Sequence, residues 1–459
     1  MLASAAAAAT FTVSRTDDPV PDGCQANGCT LREAVQAANA RPGADIVRMG
    51  KGRYVLSQAG TGEDAGLTGD LDLRGPLTIS GRGVEDTRID AQPIGISAPD
   101  SGDRVFDLHG GDVTLRGFRT DNSEVEGNGG GIRAVGSGTL VLDAARIADA
   151  TAGADGGGVF AGRGYTVRLN FSRVDDDHAG GDGGGIFAKG ELSLSRSVID
   201  DTHAGGDGGA LFAAGRTLVS HSGFHDSEAR AFGGDIAATG RLTLVATVVH
   251  EGHARQGGGG IYLKGGAARD SISRTTMISN HATGAGAEGG AVLVDGPRLG
   301  ITNSTVAYNE ARGSGGGIAT LGGRVLLSST TVTQNSANRG RGGGLLGDGG
   351  IIAMRNTIVA ANTHHRRASD CAGSVRSKGH NLSGFHCVGL GARGDVRTRH
   401  PRLGRVENHG GPNSTASLRS GSPAIDAGGP GCPTHDQRGY GRRGTCDIGS
   451  FEFRGIRGG

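Results

Sequence analysis

Aspartate and histidine residues recur at regular intervals between residues 155 and 207, and these side chains have the clearest capacity for chemistry. Steps of 27 and then 25 residues separate Asp155, Asp182 and Asp207, which we call the Asp stripe. Two carboxylates about 5 Å apart are what a retaining glycosidase uses, and a histidine beside them can carry protons. One hypothesis is therefore a polysaccharide lyase or glycoside hydrolase. Its candidate catalytic residues are Asp177, Asp182, Asp201, Asp207, His178 and His203.

The Asp stripe has two other interpretations. Stacked carboxylates repel one another, so either their pKa values rise or a hard cation bridges them. Calcium held by Asp155, Asp182 and Asp207 is the one cofactor that the sequence suggests. We favour a third interpretation, a solvated polar edge along a turn. The segment lacks the combination of Asp pairs, Gly-His-Gly and Arg-x-Lys that marks polygalacturonase-like enzymes, and the chain has no Trp to stack on sugars.

Three histidines, His178, His203 and His253, occupy one position of the same repeat. A transition-metal site would need further ligands, and only two of these histidines fall on adjacent repeats. We therefore expect solvent-facing histidines on turns. A local basic run at His364–Arg367 is interpreted in the same way, as a solvated loop.

The composition excludes several classes of protein. The chain has 459 residues, of which 90 are Gly, and its 47 basic and 46 acidic residues leave a formal charge of +1. Glycine does not recur at every third residue, which excludes collagen. Near-neutral charge argues against a polybasic nucleic-acid binder, so no nucleic-acid partner is expected. No window of 18 apolar residues occurs, and no transmembrane span is predicted.

A repeat of about 26 residues dominates the middle of the chain and must position these side chains. Each copy carries two or three small residues, mostly Gly, followed by an aliphatic residue, and nine copies at one period are a specific signal for a repeat architecture. The aliphatic residues, which we call markers, are Ile132, Val159, Ile186, Leu211, Ile236, Ile261, Val292, Ile318 and Leu345.

A second element runs in phase with the markers and contains an apolar residue, a polar position and an alanine. The polar position is filled in turn by Asp177, Thr202, Ser227, Asn280, Asn309 and Asn335. Short strands that repeat at this period describe a parallel β-helix, in which equivalent residues stack about 4.8 Å apart. Because parallel crossovers are nearly always right-handed, we predict an all-β fold, a single right-handed parallel β-helix (solenoid) with asparagine ladders.

Stacked strands leave two open ends, which must be covered to prevent edge-to-edge aggregation. At the N-terminal end Thr30 and Glu33 fit a capping box, and an apolar helical stripe follows them. We therefore predict a helical cap on the first coil. The period is lost after residue 362, and the cysteine-bearing segment beyond it is predicted to be the C-terminal cap.

The six cysteines bracket the Gly-rich body and lie in pairs at short spacing, which indicates disulfides in an oxidising compartment. The favoured pairs are Cys24–Cys29, Cys371–Cys387 and Cys432–Cys446. Half of a zinc site at Cys24 and Cys29 is an alternative, although no second pair lies near in sequence. Reduced thiols are the other alternative.

These signals divide the chain into four segments. They are an Ala-rich segment at 1–15, an N-terminal cap at 16–60, the parallel β-helix at 61–362 and the C-terminal cap at 363–459. The Ala-rich opening has the small residues of a signal-peptide cleavage region, but the basic start and apolar stretch of a full signal are missing. Either the segment is a signal-peptide remnant or it is a disordered Ala run.

Two motifs at the ends of the chain resemble those of known bacterial surface proteins. Residues 29–39, CTLREAVQAAN, resemble the CSLREA motif, with Thr30 in place of the usual Ser. The tail resembles the choice-of-anchor Q region at HPRLG (400–404), NHGGPNSTASL (408–418), GSPAIDAG (421–428), DQRG (436–439) and CDIGSFE (446–452). The repeats GGAL (208–211) and GGAV (289–292) also resemble those of polymorphic outer-membrane proteins. The resemblance implies an exported surface stalk or adhesin-like protein without established catalytic residues.

The sequence therefore predicts an exported structural or adhesin-like surface protein, extracellular or at the cell surface and monomeric. Its β-helical rod would bind a glycan or a protein on a host or neighbouring cell. The alternative is the lyase or hydrolase that uses the Asp stripe, and we do not favour it. A rod shape does not by itself name a partner.

Overall fold

The computed structural model describes residues 7–60, 62–91, 103–265, 269–387 and 389–457. The first six residues of the proposed signal-peptide remnant lie outside this description. The chain forms two compact units. Unit 1 is Met1–Gly205 with Ala210–Arg216, and unit 2 is Gly206–Gly209 with Thr217–Gly459. Both consist of right-handed parallel β-helix coils, which confirms the predicted all-β fold class.

A full coil of unit 1 has four strands, which we number first to fourth in chain order. The first strands are Leu71–Leu73, Phe106–Leu108, Ile132–Ala134, Val159–Ala161, Ile186–Ala188 and Leu211–Ala213. The second strands are Thr10–Thr12, Asp45–Arg48, Leu77–Ser80, Val113–Arg116, Ser137–Asp143, Gly164–Asn170 and Leu192–Ser195. The third strands are Gly52–Val55, Thr87–Asp90, Arg119–Asp121, Arg146–Ala148, Arg173–Asp175 and Val198–Asp200. The fourth strands are Ser123–Val125, Ala150–Ala152, His178–Ala179 and His203–Ala204.

Unit 2 repeats the same pattern. Its first strands are Ile236–Ala238, Ile261–Lys264, Val292–Asp295, Ile318–Thr320 and Cys371–Ser377, and its second strands are Thr217–Ser220, Leu242–Val245, Arg269–Ser273, Arg298–Thr302 and Arg324–Ser328. Leu345–Arg355 serves as first and second strand of one coil, and Cys371–Ser377, which pairs with both of its parts, does the same in the next coil. The third strands are Gly223–His225, Val248–His250, Thr276–Ile278, Thr305–Ala307, Thr331–Thr333, Ile358–Ala360, Leu382–Ser383 and Val396–Arg397. The fourth strands are Glu228–Ala229, His253–Ala254, His281–Ala282, Glu310–Ala311, Ser336–Ala337 and Thr363–His364, the last paired antiparallel with Arg367–Ala368.

The markers form the interior because each opens a first strand and points inward. All nine are fully buried, and the alanines of the second element are buried as well. The glycines before each marker allow a turn that other residues would strain. Gly183, for example, has a φ of +68°, and a Cβ there would lie 2.4 Å from the carbonyl oxygen of Ile186.

The predicted asparagine ladder is present in unit 2. The Nδ2 group of Asn280 donates to Oδ1 of Asn309 at 2.8 Å, and Asn309 repeats this bond to Asn335 at 2.9 Å. Asn335 then donates to Asn362, and Asn362 donates to Oδ1 of Asp370, both at 2.9 Å. Because all five side chains are buried, the column satisfies its polar groups by stacking.

The predicted N-terminal helix runs from Leu31 to Asn39, and Thr30 and Glu33 form the expected capping box. The helix packs on strands Thr10–Thr12, Asp45–Arg48 and Leu71–Leu73 of unit 1. The three disulfides join the cysteine pairs that the spacing predicts.

The C-terminal segment covers more than the end of unit 2. Strands up to Val396–Arg397 continue the coils, but residues beyond them lie along the third strands. Asn413 donates to the carbonyl oxygen of Thr247 at 3.1 Å, and the amide of Ser450 donates to Oγ1 of Thr331 at 3.1 Å. The tail adds two antiparallel pairs, Leu403–Glu407 with Thr415–Leu418 and Tyr440–Gly441 with Ile456–Arg457. Three of these third strands open with a threonine whose hydroxyl bonds the tail, namely Thr276, Thr305 and Thr331. These bonds hold the tail against the third strands.

Replacing Asn309 with Ala should lower the free energy of unfolding by at least about 2 kcal/mol, because Asn280 would lose a buried acceptor and two carbonyls a donor. Chemical denaturation measures the change. The matched control is Asn338→Ala at an exposed corner, where we expect a change within about 0.5 kcal/mol. Equal effects of the two substitutions would contradict the ladder.

Candidate functional site

The Asp stripe is bonded to the backbone of the coils. In unit 1, Oδ1 of Asp155 accepts the amide of Asp182 at 3.0 Å, just as Asn128 accepts the amide of Asp155 at 3.0 Å. In unit 2, Oδ1 of Asp207 accepts the amide of Phe232 at 3.0 Å, and burial raises the pKa of Asp207. These bonds give the carboxylates of Asp155 and Asp207 a structural role and support the interpretation as a polar edge.

Asp177 lies in the interior of unit 1, where a substrate at the surface would not reach it. Its side chain is fully buried, and Oδ1 accepts the amide of Ala150 at 2.8 Å. Burial raises its pKa well above the usual value. Asp201, by contrast, is exposed at a corner. The candidate catalytic set is therefore not assembled as the hypothesis requires, because Asp177 occupies the interior position that unit 2 gives to asparagine.

The histidines stack in pairs within each unit. The rings of His178 and His203 are 4.8 Å apart and 10° from parallel, on adjacent fourth strands. Burial and the neighbouring His203 lower the pKa of His178. In unit 2 the ring of His253 stacks at 4.8 Å on that of His281, which sequence analysis missed. Over the residues that the structure describes, neither pair belongs to a set of three metal-binding side chains.

A different group of charged and polar side chains lies close together on the first strands of unit 1. The middle residues of three successive first strands are Asp72, Asp107 and Arg133, and the strand register pairs them directly. Their strand neighbours are buried aliphatic and aromatic residues, so these three side chains point outward. With Asp64 and His109 they form what we call the first-strand cluster.

Short polar contacts hold this cluster together. Nε2 of His109 lies 2.5 Å from Oδ1 of Asp72, which is itself fully buried. Nε of Arg133 donates to both oxygens of Asp107, at 2.9 and 3.1 Å. Burial raises the pKa of Asp72, and the bond from His109 opposes that rise. The bond to Asp107 raises the pKa of Arg133.

A buried layer of charge lies behind the cluster. Nη1 of Arg104 donates to Asp70 at 2.9 Å and to Asp107 at 3.4 Å. Burial and the charge of Asp103 raise the pKa of Asp70 to about 8. The cluster therefore stands on a layer with more carboxyl groups than guanidinium groups.

The N-terminal helix positions the segment that carries Asp64 and Asp72. The buried guanidinium of Arg32 pairs with Asp18 at 2.9 Å and donates to the carbonyl oxygens of Gly69 at 2.7 Å and Asp70 at 2.9 Å. Gln36 and Asn39, on the same helix, donate to the carbonyl oxygens of Gly66 and Asp72. The helix therefore covers the first coils and also holds in place the segment that carries Asp64 and Asp72.

A row of phenylalanines continues the outward column from Arg133. Phe160 and Phe187 stack at 5.3 Å, and Phe187 and Phe212 stack at 5.0 Å. Phe160 and Phe187 are only 6% and 4% exposed, and Nζ of Lys189 lies above both rings at 5.4 and 5.1 Å. These rings consequently pack against each other and leave little face for a ligand.

Sequence analysis missed Asp72, Asp107, His109 and Arg133, although a signal was present. The column of markers extends backwards to Phe106 and Leu71, and the residue after each marker points outward. The segments LDL and FDL thus place a carboxylate on the outer face of a strand, where surrounding side chains bury it. Extending the register by two coils would have found both.

The arrangement suits proton transfer and the binding of polar groups. A carboxylate that bonds an imidazole fixes its tautomer and its orientation. Arg133 supplies donors in a fixed geometry, and the exposed carboxylate of Asp64 supplies acceptors, whereas the carboxylates of Asp72 and Asp107 are buried beneath them. Asp107 and Arg133 lie on strands paired on both sides, and the strand of Asp72 is paired on one side and contacts the N-terminal helix, so little backbone reorganisation accompanies binding.

No protein-family model and no curated protein matches this chain, so the resemblance to CSLREA and choice-of-anchor Q proteins stays a prediction. Solved structures with a similar fold include pectate lyase Pel9A, at 14% identity and a TM-score of 0.40 over 97% of each chain. A tailspike protein of E. coli bacteriophage HK620, solved with a pentasaccharide, is 9% identical over 85% of this chain and 78% of its own, with a TM-score of 0.39. The A-module of Azotobacter vinelandii mannuronan C-5 epimerase AlgE6 is 16% identical over 80% and 92%, with a TM-score of 0.33. These likenesses carry nothing over to the site.

Replacing Asp177 with Asn should stabilise the fold increasingly as the pH rises. The folded chain keeps Asp177 protonated well above about pH 4, where the unfolded chain loses that proton, so this residue costs stability as pH increases. We expect the difference in free energy of unfolding between variant and wild type to grow by more than about 1 kcal/mol between about pH 5 and pH 8.

Urea unfolding at each pH measures this difference. The control is Asp201→Asn, an equal change of charge at an exposed position, whose effect on the free energy of unfolding should be within about 0.5 kcal/mol. An Asp177→Asn effect that is constant or shrinks with pH would contradict the interior placement.

Proposed function

We propose that this chain is an exported β-helical surface protein that binds a glycan through the first-strand cluster of unit 1. The observation that carries the proposal is the outward row of Asp72, Asp107 and Arg133 on paired strands, with His109 beside it. Sugar hydroxyls both donate and accept hydrogen bonds. The half-buried Arg133 and His109 and the exposed Asp64 offer donors and acceptors to them, next to the buried carboxylates of Asp72 and Asp107. A rigid platform of this kind loses little entropy on binding.

Three disulfides support the exported location, because such bonds persist in oxidising compartments and are rare in the cytosol. In the parts of the chain that the structure describes, no helix is long and apolar enough to cross a membrane. The tail of unit 2 covers the flank of its own coils and the N-terminal helix covers coils of unit 1, as strands exposed outside the cell require.

Substituting Arg133 with Ala should weaken glycan binding at least about 10-fold, because Arg133 contributes charged donors to the cluster. Binding is measured on a panel of immobilised neutral and acidic polysaccharides, followed by calorimetry with the tightest one. Arg168→Ala is the matched control, since Arg168 is exposed on strand Gly164–Asn170 of the same unit. No binding on the panel would contradict the proposal, and equal losses in both variants would exclude the cluster as the site.

The second candidate function is a polysaccharide lyase or glycoside hydrolase, now centred on the cluster in place of the Asp stripe. The 2.5 Å contact between His109 and the buried Asp72 favours it, because a carboxylate-bonded imidazole is a competent general base. The same panel, assayed for new reducing ends and for the ultraviolet absorbance of unsaturated sugars, distinguishes the two. Turnover lost in His109→Gln would establish the enzyme, whereas binding without turnover supports the surface protein.

A further inference from the structure

The first-strand cluster gathers four side chains that can each give one ligand atom to a metal ion. Asp64, Asp72, Asp107 and His109 place these atoms within 4.8 Å of one another. Nε2 of His109 is 2.5 Å from Asp72 Oδ1, 3.8 Å from Asp64 Oδ1 and 3.9 Å from Asp107 Oδ2. Metal–ligand bonds of about 2.1 Å would place neighbouring donors about 3.4 Å apart, so small side-chain movements complete a shell.

One donor group has a buried oxygen with nothing to bond. Asp72 is fully buried, and its Oδ2 atom makes no hydrogen bond. A buried carboxylate oxygen without a partner costs the desolvation of a charged group. An ion bound by both oxygens of Asp72 would remove that cost at Oδ2 and would replace the close contact between Oδ1 and His109.

The charge around the cluster also favours a cation. Asp64, Asp72 and Asp107 supply the donors, and Asp70 and Asp103 lie behind them. Arg133 bonds Asp107, while Arg104 is shared among Asp70, Asp103 and Asp107. Because a pKa of about 8 keeps Asp70 largely protonated at neutral pH, the other four carboxyl groups face the two guanidinium groups in this described part of unit 1, which leaves negative charge for a cation to balance.

From these observations we infer that the first-strand cluster binds one divalent transition-metal ion, such as Zn²⁺ or Mn²⁺, through Asp64, Asp72, Asp107 and His109. Three carboxylates and one imidazole suit such an ion, whereas Ca²⁺ takes six to eight oxygen ligands. The helix contacts to the carbonyl oxygens of Gly66 and Asp72 hold one ligand-bearing residue, Asp72, and the backbone two residues from Asp64 in place. This inference does not depend on glycan binding.

The other acidic group with a histidine, Asp226, His250 and Glu251 in unit 2, lacks these features. Asp226 is exposed and the other two side chains are half-buried. His250 and Glu251 already pair at 3.4 Å. Nothing there points to a bound ion.

Calorimetry on the full, disulfide-bonded chain after treatment with a chelator tests the inference, with Zn²⁺, Mn²⁺ and Ca²⁺ titrated separately. We expect one Zn²⁺ or Mn²⁺ per chain, a rise in Tm with either ion, and much weaker binding of Ca²⁺. Asp64→Asn and His109→Gln should each weaken binding at least about 10-fold. Asp64 is 64% exposed, so its substitution leaves the fold intact, which circular dichroism checks.

Two matched controls separate the cluster from incidental binding. Asp149→Asn removes an exposed carboxylate of the same unit, and His253→Gln removes an imidazole from the stacked pair in unit 2. Both should bind Zn²⁺ like the wild type. Absence of binding at millimolar Zn²⁺ and Mn²⁺, an equal loss in the controls, or Ca²⁺ binding as tight as Zn²⁺ would overturn the inference. Glycan binding to metal-free protein would leave the proposed function standing without the ion.

Discussion

Parallel stacking of the backbone, coil upon coil in strict register, is the constraint on which the rest of each unit depends. Each strand pairs with its equivalent in the next coil, so a residue meets the same position about 4.8 Å away. The surroundings of every side chain therefore include the equivalent residues of the neighbouring coils, which form a column with it. A buried polar residue needs a partner in that column, which Asn280, Asn309 and Asn335 provide for one another. A surface charge needs either an opposite charge or a backbone group beside it.

The Asp stripe and the first-strand cluster pair their carboxylates in different ways, the first with backbone groups and the second with side chains. Carboxylates of the Asp stripe accept amides from the following coil, and their lone pairs are used in holding the turns. In the first-strand cluster the column changes sign from Asp107 to Arg133, and His109 approaches Asp72 from the side. Groups bonded to side chains can exchange those bonds for a ligand, whereas groups bonded to the backbone cannot do so without loosening the coil. The cluster is for this reason the better candidate for binding.

Features that repeat were predictable from the sequence, and features that do not repeat were not. The markers, the alanines and the asparagine ladder appear many times, and Thr30 with Glu33 matches a local capping pattern, so each could be identified without coordinates. The cluster appears once. Its parts come from Asp64 on a loop, from Asp72 and Asp107 on adjacent coils, and from a helix whose Arg32 reaches two backbone carbonyls. Similarly, no local pattern indicates that Asn413 reaches Thr247 and Arg274 across more than a hundred residues.

Thiol cross-linking tests the register most directly, because all six native cysteines are already paired. Val141 and Arg168 are paired across adjacent second strands and point outward, so the double variant Val141→Cys with Arg168→Cys should form a fourth disulfide on mild oxidation. Val141→Cys with Thr166→Cys, offset by two residues, should keep two free thiols under the same conditions. Mass spectrometry after alkylation counts them. Equal cross-linking of the two variants, or cross-linking of the offset pair alone, would contradict the register and with it the placement of the cluster.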